Sequence, residues 1–164
     1  MPKQPTTILA VNPGSRYVGF AAFRGPDLLD WGVRVIRATT PRGTAKIAGS
    51  ILSEAIERFH PDMLAIKALH PSRSSPALDH LADSITELAR RRRIQVHPYS
   101  IGQLKIALLS ETKGNKRGLA ERVVALYPVL AHDFERETSN VNPYHIRMFE
   151  AVALGIVCYR HIDE

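Results

Sequence analysis

The residues best suited to chemistry in this sequence are basic. Lys113, Lys116 and Arg117 flank Gly114 and Gly118 in the segment ETKGNKRG. Cations beside glycines let side chains and bare backbone amides meet one phosphate together. Ser15 and Arg16 follow the turn Asn12-Pro13-Gly14 and offer the same chemistry on a smaller scale. Lys67 interrupts the apolar run MLAIKAL of residues 63–69, an unusual place for a solvated lysine unless the strand ends there. Arg90–Arg93 closes a helical pattern, where cations suit the C-terminus, and reads as a solvated helix end. The seven histidines, at positions 60, 70, 80, 97, 132, 145 and 161, show no ligand spacing, so no zinc site is expected. A Gly-x-x-x-x-Gly-Lys-Ser/Thr element is absent, which excludes a Walker-type nucleotide site.

The elements that must position these groups follow from periodicity. Residues 6–11 (TTILAV), 17–23 (YVGFAAF) and 28–38 (LLDWGVRVIRA) read as strands joined by the turn signals Asn12-Pro13-Gly14 and Arg24-Gly25-Pro26. Short turns predict an antiparallel meander. Apolar spacing then turns helical over residues 44–59, with Ile47, Ala48, Ile51, Leu52, Ala55, Ile56 and Phe59 on one face. Residues 63–69 read as a fourth strand, and Ser75-Pro76 as a helix cap with proline in the first turn. A short fifth strand spans residues 94–99, and a helix starts near Ser100. Further helices are predicted around residues 119–127 and 144–160, the last opened by Asn142-Pro143. Strand four follows a helix and should lie parallel to strand one, giving a mixed sheet in the order 3-2-1-4-5. The ends of strands one and four then sit side by side, at the topological switch where such sheets bind ligands.

Composition narrows the class. The chain has 164 residues, a length that predicts one domain over residues 1–164. Lysine and arginine number 22 against 16 acids, a net charge of +6 that favours a polyanionic partner. The single Cys158 excludes an internal disulfide framework and fits a reducing, cytoplasmic setting. It falls in the apolar stripe of the last helix and is expected to be inert; Trp31, Phe59 and Tyr127 are expected in the core. No apolar run reaches the ~18 residues of a membrane span, and residues 1–7 (MPKQPTT) lack a secretory apolar core.

Residues 8–20, ILAVNPGSRYVGF, closely resemble the first strand and turn of RuvC-type Holliday-junction resolvases and their ribonuclease H-fold relatives, which typically read I-x-G-I-D-P-G-S-x-x-x-G-[FY]. LAIKAL at 64–69, the segment 96–105, GNKRGLAERVVALYP and FEAVALGIVCYRH are similar to later family segments in the same order. The resemblance implies an α/β ribonuclease H-like fold, a five-stranded mixed sheet with helices on both faces. It also implies a site of carboxylates from strand one, strand four and the last helix. Family members use these to hold two Mg²⁺ or Mn²⁺ ions and cut a phosphodiester.

At those positions this sequence carries Asn12, Lys67, Arg147 and Glu150, and only Glu150 is acidic. A shift of one or two residues in the last helix would exchange Arg147 for Ile146 or His145, neither a carboxylate. Hard divalent cations want anionic oxygen ligands. The expectation is therefore a protein that binds DNA, branched DNA included, with its metal site and nuclease activity lost and no cofactor. Ser15, Arg16, Lys105, Lys113, Lys116 and Arg117 are its expected nucleic-acid contacts. Two other readings stand beside it. One is an active Mg²⁺-dependent Holliday-junction endonuclease recruiting Asp62, Asp79 or Asp133. The other is a protein-interaction module on the same fold. A homodimer is implied for a cutting relative, because two-fold junctions call for two active sites; a non-cutting one has no such need. Asn12, Lys67 and Glu150 should meet in one cleft, with Lys67 paired to Glu150.

Overall fold

Turn chemistry closes the first three strands into the expected meander. In the computed structural model, which describes residues 4–70, 72, 74–110, 114–138 and 146–162, β1 (Thr7–Asn12) pairs antiparallel with β2 (Tyr17–Arg24), and β2 with β3 (Asp27–Val35). Gly25 makes the second turn at φ +56°, a left-handed conformation that glycine adopts without strain. Helix α1 (Pro41–Phe59) returns the chain to β4 (Met63–Lys67), which lies parallel to β1. Helix α2 (Pro76–Arg91) leads to β5 (Gln95–Tyr99), parallel to β4. The sheet order is β3-β2-β1-β4-β5, as the sequence predicts. Helices α3 (Ile101–Leu109), α4 (Lys116–Leu126), α5 (Ala131–Thr138) and α6 (Ile146–Ile162) follow, with a 3₁₀ turn at Pro128–Leu130.

Side-chain alternation splits the core into two layers. Leu9, Val11, Leu64 and Ile66 pack with α1 and α2 on one face. Ile8, Ala10, Ala21, Phe23 and Ala65 face α6, with α3 and α4 outside it. Helix α6 is thus covered on all sides, and every residue from Met148 to Cys158 is buried. Two glycines set its seat on the sheet. A Cβ on Gly19 would overlap the Arg147 carbonyl, and one on Gly155 would overlap the Phe23 ring.

Several boundaries differ from the sequence reading. Helix α1 starts three residues early because Thr40 Oγ1 accepts the Gly43 amide at 3.0 Å and Pro41 suits the first turn. Helix α4 likewise starts at Lys116, since Asn115 Oδ1 accepts the Gly118 amide at 2.7 Å. Strand β3 ends at Val35 and β4 at Lys67. Helix α5 was not anticipated; Asp133 and Phe134 tie it down through Trp31 and Phe149. The expected opening of the last helix at Asn142-Pro143 lies outside the described residues.

Candidate functional site

Asn12 and Lys67 end neighbouring parallel strands, and both continue the parity that faces α6: residues 8, 10 and 12 on β1, and 65 and 67 on β4. Glu150 comes down on them from the first turns of α6, fixed there by the Gly19 contact to Arg147. Lys67 Nζ donates to Glu150 Oε2 at 2.7 Å, and Asn12 Nδ2 donates to the same oxygen at 2.7 Å. Asn12 Nδ2 also lies 3.3 Å from the Arg147 carbonyl oxygen, so the amide bridges two acceptors. The structure therefore brings Asn12, Lys67 and Glu150 into direct contact.

A further cation completes the group. Lys116 Nζ lies 3.3 Å from Glu150 Oε1, an ion pair outside hydrogen-bond geometry, so that buried oxygen has no hydrogen-bond partner. Sequence reasoning placed Lys116 in a loop as a phosphate contact and missed this pairing; the Asn115 cap, which turns Lys116 into the first helical residue, was the signal available. Glu150 is only 3 % exposed, while the Lys67 and Lys116 side chains are 18 % and 43 % exposed. Burial pushes the Glu150 carboxyl up, but Lys67 and then Lys116 outweigh it and hold the group below its usual range. For Lys67, burial pulls the ammonium down; Glu150 opposes this, while Lys116 and Arg147 add repulsion.

These residues floor a cleft of about 650 Å³ whose walls include Pro13, His70, Ser100, Ile101, Gly102, Lys105 and Arg147. The Arg147 guanidinium lies against the Asn12-Pro13-Gly14 turn, where a Cβ on Gly14 would overlap it. Ser15 and Arg16 are exposed in the adjoining turn and do not line the cleft. Arg117 also lies outside its lining and pairs with Glu121 one turn on, at 3.5 Å. Lys113 lies outside the described residues.

The donor set does not fit the divalent ions the resemblance implies. Among the described residues, Glu150 is the one carboxylate lining the cleft, and both its oxygens already face ammonium groups. Among the described residues, no group of three or more His, Cys, Asp or Glu could hold a metal ion. The substitute acids are committed elsewhere. Asp62 accepts the Thr7 amide at 2.9 Å, Asp79 accepts from the Ser74 hydroxyl, and Asp133 accepts from Trp31 Nε1 at 3.3 Å. None of the three lines the cleft. No helix among the described residues is long and apolar enough to cross a membrane.

Comparison with known proteins gives the family and the fold. The sequence model of the crossover junction endodeoxyribonuclease RuvC family matches residues 8–154. The solved structure of Thermus thermophilus RuvC superposes with a TM-score of 0.72 at 15% identity, covering 96% of this chain and 97% of that one. The T. thermophilus RuvC complex with a Holliday junction substrate gives 0.72 at 14% identity, covering 96% of each chain. The yeast mitochondrial Holliday junction resolvase gives 0.67 at 12% identity, covering 97% of this chain and 80% of that one. These likenesses establish a shared ribonuclease H-like fold. No curated protein sequence matches the chain significantly.

Proposed function

Because the chain belongs to the crossover junction endodeoxyribonuclease RuvC family, we propose that it binds branched DNA at this cleft and does not cut it. The observation that carries the reading is the Lys67–Glu150–Lys116 cluster at the ends of β1 and β4. Phosphodiester cleavage needs an activated water and a stabilised leaving oxygen. In a metal-dependent site both come from ions held on carboxylates, and here the one carboxylate among the described lining residues already faces two ammonium groups. Binding needs neither. Lys67, Lys105, Lys116 and Arg147 all line the cleft, so a polyanion entering it meets four cations and one buried, neutralised acid. The T. thermophilus relative solved with a Holliday junction substrate supports branched DNA as the polyanion. Arg16, in the adjoining turn, is placed to extend the contact beyond the cleft, and Lys113 and Arg117 remain proposed contacts.

A labelled four-way junction tests this with binding and cleavage measured together, with Mg²⁺ and with Mn²⁺. The expected result is salt-sensitive binding, because phosphate contacts release counterions, with the junction left intact. Cleavage by the unmodified protein, abolished by Glu150→Gln, would restore the active-nuclease reading. Absence of binding and cleavage would favour a protein-interaction module.

A further inference from the structure

We infer that Lys67 and Lys116 hold a phosphodiester group of the DNA directly, with no divalent cation between protein and phosphate. The inference rests on the DNA-binding reading above and adds how the phosphate is held. An ammonium carries three N–H donors. Lys67 gives one to Glu150 Oε2, and Lys116 faces Oε1 at 3.3 Å, which leaves both with donors for a second anion. Both lysines line the cleft, so that anion is reached from solvent. Their arrangement suits a phosphate. Two ammonium groups sit at the two oxygens of one carboxylate, and the two free oxygens of a phosphodiester offer a similar pair of acceptors.

Glu150 is then a positioning residue. Its buried carboxylate offsets the repulsion between two neighbouring cations and aims both. Lys105 and Arg147 on the walls add positive charge, and among the described residues the lining holds no carboxylate besides Glu150. The capping box at α3 occupies the amides of Ser100 and Gln103, while those of Ile101 and Gly102, which also line the cleft, stand at the open first turn. A Cβ on Gly102 would meet only Ser100 Oγ, at 3.7 Å, so backbone there is openly approached.

The experiment is fluorescence anisotropy of a labelled four-way junction, in EDTA and in Mg²⁺ at matched ionic strength. Binding is expected in both buffers and no tighter in Mg²⁺ than in EDTA, since no contact depends on a divalent ion and Mg²⁺ competes with the lysines for phosphate. Lys116→Met should weaken binding roughly threefold or more in EDTA and flatten its salt dependence by about one phosphate contact. Lys67→Met/Glu150→Gln, which removes the buried pair together, should do the same, and thermal melting checks that both variants fold. Binding that requires Mg²⁺, or folded variants that bind in EDTA as tightly as the unmodified chain, would overturn this inference and leave DNA binding standing. No junction binding in either buffer would overturn both.

Discussion

Lys67→Met separates a buried ion pair from mere proximity. The change keeps most of the apolar stem and removes the ammonium. Glu150, 3 % exposed, then retains Asn12 Nδ2 on Oε2 and Lys116 near Oε1. Stripping one partner from a buried pair costs about 3–5 kcal/mol, because the other charge stays in a poor solvent. Here Lys116 remains, but its exposure screens much of what it can supply. The expected loss is therefore roughly 2–3 kcal/mol. Glu150→Gln added to Lys67→Met removes the stranded charge, and the double variant should return to within about 1 kcal/mol of the unmodified chain. Urea unfolding followed by fluorescence gives each midpoint, and an unchanged m-value shows that the same surface unfolds. The cycle should yield a coupling of roughly 1–3 kcal/mol. Single changes that add to within about 0.5 kcal/mol would refute the pairing as an energetic unit.

Acid should attack the same pair. The folded carboxyl of Glu150 is held below its unfolded value of about 4.3, so its contribution is complete above that pH and lost as pH falls through the folded value. Urea midpoints of the unmodified chain should drop faster below about pH 4 than those of Lys67→Met/Glu150→Gln, and parallel profiles would contradict the assignment. Gly19→Ala places a Cβ on the Arg147 carbonyl, which is backbone and cannot rotate away. It should cost roughly 1–3 kcal/mol in a thermal melt, whereas Gly102→Ala, with only the 3.7 Å neighbour, should be neutral or stabilising. Asn12→Asp/Lys67→Glu/Arg147→Asp, with Glu150 kept, should create Mn²⁺ binding detectable by calorimetry and absent from the unmodified chain. A folded triple variant that binds no Mn²⁺ would show that residue type at these positions is not what decides metal binding.

What could be read from the residues alone follows the range of each signal. The convergence of Asn12 and Lys67 was legible through the family resemblance and the adjacency of strands one and four; β1 is buried throughout, so alternation alone chooses no face there, and the shared face comes from the register of the two strands. The turn residues and crossover rule supply the sheet order without any contact information. Two helix starts lie three residues ahead of where apolar periodicity sets them, because the first turns are polar. Gly43 and Gly118 each sit in a first turn, with their amides taken by the caps Thr40 and Asn115, so the usual penalty for glycine inside a helix weakens there. Helix α5, AHDFERET, is short and polar, and its anchors on Trp31 and Phe149 are tertiary.

The same distinction separates the two lysines of the site. Lys67 was visible because it breaks an apolar run, which is a local anomaly. Lys116 was not, because its first helical turn looked like a loop and its partner lies on another helix. Among the described residues no metal donor set surrounds Glu150, and its oxygens face the two lysines instead. Two cations beside a buried helix are stable only with a counter-charge, and the carboxylate that offsets them is Glu150. Glu150 has both its oxygens facing ammonium groups, so its charge is already balanced by the chain itself and calls for no further cation.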